Sequence, residues 1–249
     1  MGLKDISTLA PKQFKKDEIK KETKKILEKI YYYQRMMFAQ GESSILILLQ
    51  GMDASWKDGT IKDIFTGVNP LWCQVTSFKV PTPEEQAHDF LWRIHHHTPE
   101  KGMIHIFNRS YYEDVLVPTV EKELNKQDMA HRYQHINNFE KLLTDSWTHI
   151  VKCYLHISRD EQKKRLEERL ELPHKFRKHR DSDRETRKKR DSYMKAYDTV
   201  FSKSNIVPWH IIPADQNRWK VHVISKLLLE TFESMDLKWP PLKTSKFRK

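Results

Sequence analysis

The chain is poor in cysteine, holds no long apolar run and shows no internal repeat, and each absence removes a class of protein. Two cysteines stand in 249 residues, Cys73 and Cys153, and both fall inside apolar, strand-like stretches. That placement argues for buried thiols of a reducing compartment and against a disulfide framework. No stretch approaches the roughly 18 apolar residues that a membrane-spanning helix needs. The opening residues, Met-Gly-Leu-Lys-Asp-Ile, contain no apolar signal region, and Ile6 stands where an N-myristoylation motif requires Ser or Thr. A soluble, cytoplasmic protein without membrane attachment is expected. What the chain has in excess is positive charge, a formal +11. This suggests a polyanionic partner, and charge alone does not choose among nucleic acid, acidic lipid and a phosphate polymer. The length suits one substantial α/β core with a small appended lid.

One stretch organises the rest. Ile45 to Leu49 is an unbroken apolar run that reads as a strand buried on both faces, as central strands of parallel sheets do. The pattern breaks at Gly51 and restarts as a helix at Lys57. A strand, a tight loop and a helix N-terminus carrying a lysine form a phosphate-binding loop, in which backbone N–H groups and the helix dipole face an anion. Gly51 to Lys57 fits Gly-x-x-x-x-Gly-Lys with two departures: Trp56 takes the place of the second glycine, and Asp58 that of the usual Ser or Thr.

Before this loop, residues 13–40 form a charged helix with Ile26, Ile30, Tyr33 and Met37 at helical spacing for core packing. After it, a helix runs from Lys57 to Phe65 and a second strand from Cys73 to Val80, stopped by Pro81 and Pro83. Pro83-Glu-Glu-Gln opens a helix that continues through Trp92-Arg93-Ile94 to His95, His96 and His97. Adjacent histidines on a helix point apart and lack a matching ligand set, so a metal site there is disfavoured. Further strands fit Gly102–Phe107, Thr148–Ile157 and Trp209–Ile212, with helices over Gln127–Trp147 and Asn217–Phe232. Strands alternating with helices predict a three-layer α/β/α fold around a five-stranded parallel sheet. The division expected is an N-terminal helical extension over 1–40, a core over 41–160, a basic helical lid over 161–207, the end of the core over 208–233 and a basic, Pro-rich, poorly ordered tail over 234–249.

Residues 163–190 carry thirteen Lys or Arg against six Asp or Glu. A solvated hairpin is the ordinary explanation for such a run. Arg165 and Arg169, one turn apart just after a strand end, point instead to a lid that closes over phosphates.

Four motifs occur in order: Gly51-Met-Asp-Ala-Ser-Trp-Lys-Asp-Gly59, Ser77-Phe-Lys-Val-Pro-Thr82, Ile106-Phe-Asn-Arg-Ser-Tyr-Tyr-Glu-Asp-Val115 and Tyr193-Met-Lys-Ala-Tyr197. From about residue 13 to 233 the chain resembles the polyphosphate kinase 2 family, P-loop kinases that move phosphoryl groups between inorganic polyphosphate and nucleotides. The Asn-Arg-Ser form looks like the family's class III, whose members phosphorylate AMP and ADP. The resemblance implies transfer between polyphosphate and adenine nucleotides, with guanine open as well, dependent on Mg²⁺ or alternatively Mn²⁺, in a homo-oligomer (dimer or tetramer) with no membrane or nucleic-acid partner.

The roles it implies follow from moving a phosphoryl group between two polyanions, which needs charge neutralisation and in-line positioning. Lys57 holds the transferred phosphate, and Asp53 binds the metal and orients the nucleotide phosphate. Asp58 serves the metal in place of a hydroxyl, with Gly59 and Thr60 completing the loop. Arg109 clamps the acceptor's phosphates. Asn108 occupies the Walker B position without a charge, so Glu113 and Asp114 are the acidic replacements, Asp114 as a second metal ligand. A helix-capping box between Ser110 and Glu113 is the competing explanation for the glutamate. Lys79 contacts polyphosphate, Arg165 and Arg169 are the lid arginines, and Lys175, Lys178 and Arg180 line a channel for the polymer.

Against the family pattern, Trp56 and Trp72 replace glycines, Arg177-Lys-His-Arg180 replaces Trp-Lys-Phe-Ser, and Arg190 replaces a further Trp. A tryptophan at position 56 obstructs the loop or, at positive φ, strains it by about 1–3 kcal/mol. Two other readings therefore stay open. One is a nucleoside monophosphate kinase with ATP as donor; the other is a degenerate P-loop protein that binds polyphosphate or nucleic acid through its lid.

Overall fold

The computed structural model describes residues 2–13, 15–178, 182–242 and 244, with the backbone alone for 178 and 182–184. Its centre is a five-stranded parallel sheet in the order β2-β3-β1-β4-β5. The strands are β1 (Ser44–Gln50), β2 (Cys73–Ser77), β3 (Ile104–Asn108), β4 (Thr148–His156) and β5 (Trp209–Pro213). All seven residues of β1 are buried, because helices cover both faces of the sheet.

Alternation along β1 divides the core in two. Leu46 and Leu48 join Phe107, Tyr111, Tyr112 and Tyr154 on one face, beneath α5 (Glu113–Glu121), α6 (Lys126–Asp145) and α9 (Arg190–Lys203). Ile45, Ile47 and Leu49 join Ile104, Val151 and Leu155 on the other, beneath α1 (Lys16–Gln40), α2 (Lys57–Phe65) and α10 (Asn217–Glu233). Under the first face lies a sealed polar knot, in which Lys152 Nζ sits 2.8 Å from Glu140 Oε2 with both side chains fully buried. Tyr111 and Tyr112 hydroxyls also donate to that carboxylate.

Two expected elements come out differently. The helix expected from Pro83 onward is two four-residue pieces, α3 (Pro83–Gln86) and α4 (Trp92–His95). Thr82 and Glu85 cap the first reciprocally, but the Asp89 carboxylate takes the Leu91 N–H at 2.9 Å and breaks the run. The second strand ends at Ser77, short of Val80, after which Phe78 turns in and its N–H reaches the Asn108 carbonyl at 3.2 Å.

The basic segment contains α7 (Arg159–Glu171), a 3-10 stretch at Pro173–Lys178, α8 (Ser182–Lys188) and the start of α9. In the tail, Lys238 N–H reaches Gln40 and Trp239 Nε1 donates to the Tyr32 hydroxyl at 3.0 Å, so these two residues dock on α1. Among the described residues no helix is long and apolar enough to cross a membrane.

Candidate active site

β1 lies between β3 and β4, and its connection leads to one side of the sheet while that of β4 leads to the other. Ligands of such sheets bind at the carboxyl ends of the strands beside this reversal. The loop after β1, the Asn108-Arg109 turn after β3, the segment after β2 and the basic α7–α9 segment here enclose a cavity of about 920 Å³.

The loop's shape is unusual. Ala54 and Trp56 both adopt left-handed backbone, at φ 66° and 69°. Trp56 therefore has the conformation that a glycine would take without strain. Trp56 is among the residues that line the cavity, and its indole packs on the helix that follows. It lies on the first turn of α2, so close to Gly59 that a Cβ there would fall 1.6 Å from Nε1, and Lys175 of the basic segment after α7 sits 5.4 Å from its ring centre. Gly59 thus makes room for Trp56. Thr60 is fully buried, its hydroxyl donating to the Trp56 carbonyl at 2.9 Å, and faces the helix rather than the cavity.

Lys57 Nζ folds back onto the loop, 3.0 Å from the Gly51 carbonyl and 3.4 Å from that of Met52. Burial, then the Arg109 guanidinium, lowers its pKa to about 8, against the pull of the nearby carboxylates. Arg109 is also left-handed, at φ 64°, and reaches across to Asp53 at 2.9 Å and to Glu113 at 3.6 Å. Burial raises the Glu113 pKa, with Arg109 and then Lys57 opposing it. Strained backbone of this kind persists where the surrounding structure enforces it, commonly at functional sites.

Asn108 Nδ2 donates to Asp58 Oδ1 at 2.9 Å. The acid therefore sits on the loop and the neutral group on the strand, the reverse of the usual Walker arrangement, and the pairing across the site is kept. The Ser110–Glu113 capping box does not form: Tyr112 occupies the N-cap position of α5, and Ser110 Oγ accepts from Gln50 and from the Tyr112 N–H. Glu113 is left to face the cavity.

Lys79, Arg169, Lys175 and Arg177 also line the cavity, Lys175 paired with Glu168 at 2.5 Å. One candidate is placed otherwise. Asp114 is not among the lining residues; its carboxylate accepts from Arg93 Nη2 at 3.2 Å. Arg165 does line the cavity, but at 8% exposure its guanidinium is engaged by Glu161 and by the Ala54, Ala214 and Asp215 carbonyls. The Lys178 side chain and all of Arg180 lie outside the described residues. Tyr193 and Tyr197 of α9 also line the cavity, beyond the site residues expected from the sequence, and Gln162 and Lys220, buried beside the loop, carry no sequence signal.

A profile of the family described as polyphosphate kinase 2 matches residues 13–240. The chain belongs to the polyphosphate kinase 2 family. A protein of Meiothermus ruber named AMP/ADP-polyphosphate phosphotransferase is 44% identical over 88% of this chain and 82% of its own. The ADP-polyphosphate phosphotransferase of Rhodopseudomonas palustris is 38% identical over 86% and 79%. The crystal structure of polyphosphate kinase 2 from Arthrobacter aurescens superposes with a TM-score of 0.94 at 36% identity, covering 98% of this chain and 89% of that one. The α/β P-loop kinase fold expected from the sequence is thereby shown.

Within this kinase two of the family departures have structural occupations. Trp72 stacks on Phe38 of α1 with ring centres 4.4 Å apart. Arg190, at 6% exposure, donates to Gln162 Oε1 at 2.7 Å and to the Ile157 carbonyl at 2.6 Å, joining α9 to α7 and the end of β4. Nothing in the structure explains Arg177. A kinase of this family calls for a divalent cation, and the donor set fits one. Asp53, Asp58 and Glu113 bring hard carboxylate oxygens to one cavity wall, and Mg²⁺ takes one or two carboxylates, completing its shell with water and substrate phosphates. Among the described residues no group of three or more His, Cys, Asp or Glu is placed to hold a metal by itself.

Proposed function

We propose that this kinase transfers phosphoryl groups between inorganic polyphosphate and adenine nucleotides, taking AMP to ADP and ADP to ATP with Mg²⁺. One observation carries the reading: Lys57 and Arg109 face Asp53 and Glu113 across a single cavity at the carboxyl edge of the sheet. Two cations and two carboxylates there suit a reaction that neutralises and aligns phosphates while contributing little covalent chemistry. The names of the Meiothermus and Rhodopseudomonas relatives support polyphosphate as donor and AMP and ADP as acceptors.

In this mechanism a phosphate oxygen replaces the loop carbonyls as the partner of Lys57 Nζ. Arg109 moves from carboxylate to phosphate, which a guanidinium binds bidentately. Asp53 and Asp58 are the carboxylates that would hold Mg²⁺. Bound Mg²⁺ supplies neutralisation of the phosphate oxygens. Asp114 contributes at one remove, through Arg93, whose Nη1 holds the Lys79 carbonyl at 3.0 Å. Lys79, Arg169, Lys175 and Arg177 offer a run of cations for the polymer. Such binding is electrostatic and weakens with salt. The homo-oligomer belongs to the same proposal, with Tyr32 and Phe38 of α1 as exposed apolar surface, and light scattering on purified protein tests it.

The deciding experiment supplies ADP, polyphosphate and Mg²⁺ to purified protein. ATP should form, and Lys57→Ala and Asp53→Asn should abolish it at an unchanged melting temperature. Full activity in both variants would show the site assignment to be wrong. Offering ATP or polyphosphate as donor to AMP excludes or establishes an ATP-dependent monophosphate kinase. Polymer binding without turnover in any of these assays would refute the transferase reading.

A further inference from the structure

Consecutive carbonyls of the phosphate loop are each held by a partner, and three of them by buried side chains from elsewhere in the fold. Lys57 engages the carbonyls of Gly51 and Met52, as described. The next three carbonyls are met by side chains from outside the loop. Gln162 Nε2 donates to Asp53 O at 3.1 Å, Arg165 Nη1 to Ala54 O at 3.1 Å, and Lys220 Nζ lies 3.5 Å from Ser55 O. The Trp56 carbonyl closes the row by accepting from the Thr60 N–H at 3.0 Å. Gln162, Arg165 and Lys220 are 1%, 8% and 0% exposed, so these are interior contacts.

A planar trans peptide carries its C=O and the following N–H on opposite sides. Each carbonyl drawn inward therefore turns the next N–H outward, onto the face that lines the cavity. Ser55 is the exception, since its N–H closes a turn on the Met52 carbonyl at 3.1 Å. Ala54 and Trp56 are left-handed, at φ 66° and 69°, and left-handed residues alternating with right-handed ones are a general way to build concave N–H arrays that bind anions. The three side chains are themselves anchored. Lys220 also donates to Asn217 Oδ1 at 2.9 Å, Arg165 reaches the Ala214 and Asp215 carbonyls at 3.0 Å, and Gln162 accepts from Arg190.

We propose that Gln162, Arg165 and Lys220 are positioning residues that hold the carbonyls of residues 53–55 away from the cavity, presetting the loop as a cradle of N–H groups. The proposal rests on the phosphate-binding reading of the cavity. Without a donor beneath it, a loop peptide is free to turn its oxygen toward the phosphate and repel it. The buried Arg165 guanidinium below the loop also adds an attractive field for a polyanion above it.

Calorimetric titration of ADP and of inorganic tripolyphosphate, each with Mg²⁺, tests this in Lys220→Met, Gln162→Leu and Lys220→Arg. Both apolar variants should bind both ligands about tenfold more weakly, as expected for a lost hydrogen bond to a strained loop. KM should rise in parallel, and Lys220→Arg should recover most of the affinity. A purely structural role would lower the folded fraction, reducing Vmax at constant KM. That pattern, or unchanged affinity in both variants, overturns the proposal, and Gln162→Leu decides it alone where Lys220→Met does not fold. If the wild type binds ADP but neither binds nor consumes tripolyphosphate, the polyphosphate reading fails while the ADP titrations still judge the cradle. Wild-type protein that binds neither ligand removes both.

Discussion

Substituting Trp56 and Gly59 singly and together should reverse the sign of one stability effect. A Cβ on Gly59 would fall 1.6 Å from Trp56 Nε1, 2.0 Å from Cδ1 and 2.5 Å from Cε2. An indole is rigid, so it must rotate away as a body and give up its contact with Lys175. Overpacking of this kind typically costs about 1–3 kcal/mol, while alanine at a helical position is favoured over glycine by about 1 kcal/mol. Gly59→Ala in the wild-type background should therefore destabilise by up to about 2 kcal/mol. In a Trp56→Gly background the space is open, and the same change should stabilise by up to about 1 kcal/mol. The coupling equals the overpacking cost, about 1–3 kcal/mol, within the range for residues in contact. Trp56→Gly alone should be near neutral: it relieves about 1–3 kcal/mol of left-handed strain, offset by the greater chain entropy of glycine and the lost cation–π contact. Urea denaturation of the four proteins without ligand, followed by far-ultraviolet circular dichroism, measures the cycle. An effect of Gly59→Ala with the same sign and size in both backgrounds would refute the packing of Trp56 on Gly59.

Three further outcomes are expected. The Lys57 ammonium, with its pKa lowered to about 8 by burial first, loses its charge as pH rises through that value, so ADP affinity should fall above about pH 8. Titrations of Lys57→Ala should lack this limb. Burial likewise lowers Lys220 to about 7; above that pH the unfolded chain holds the proton that the folded one releases, so stability should rise with pH. The wild type should gain on the order of 1–2 kcal/mol relative to Lys220→Met between about pH 7 and 9, by chemical denaturation. A flat difference would show that Lys220 is not held in a desolvated site. Finally, Lys152→Ala leaves the Glu140 carboxylate buried without its cation and should destabilise by about 3–5 kcal/mol. The folded fraction should keep its KM, since the knot lies away from the cavity.

How much of this was legible in the sequence depends on what kind of contact each residue makes. The apolar run Ile45–Leu49 announces a central strand because both faces of β1 are covered, and no local hydrogen bond competes with that burial. The helix after Pro83 was misjudged because a single Asp89 carboxylate bond ended it, and side-chain capping inside a run leaves periodicity almost unchanged. Residues at strand ends, such as Asp53, Asn108 and Arg109, could be assigned to one edge from topology. Neighbours on a helix could not be separated in the same way: Glu113 and Asp114 differ by about 100° around α5, so one faces the cavity and the other Arg93. Arg165 shows the deeper limit. Its spacing from Arg169 places both near one face of α7, yet spacing does not say whether that face looks across the phosphates or down onto loop carbonyls. Gln162 and Lys220 are harder still, because a backbone carbonyl is the same at every residue and calls for no complementary side chain in the sequence. Glycine 59 carries both kinds of information. Its place in the motif points to close approach by phosphate, which any chain of this pattern shares, whereas its contact with Trp56 exists only because this chain put an indole where the loop's second glycine stands.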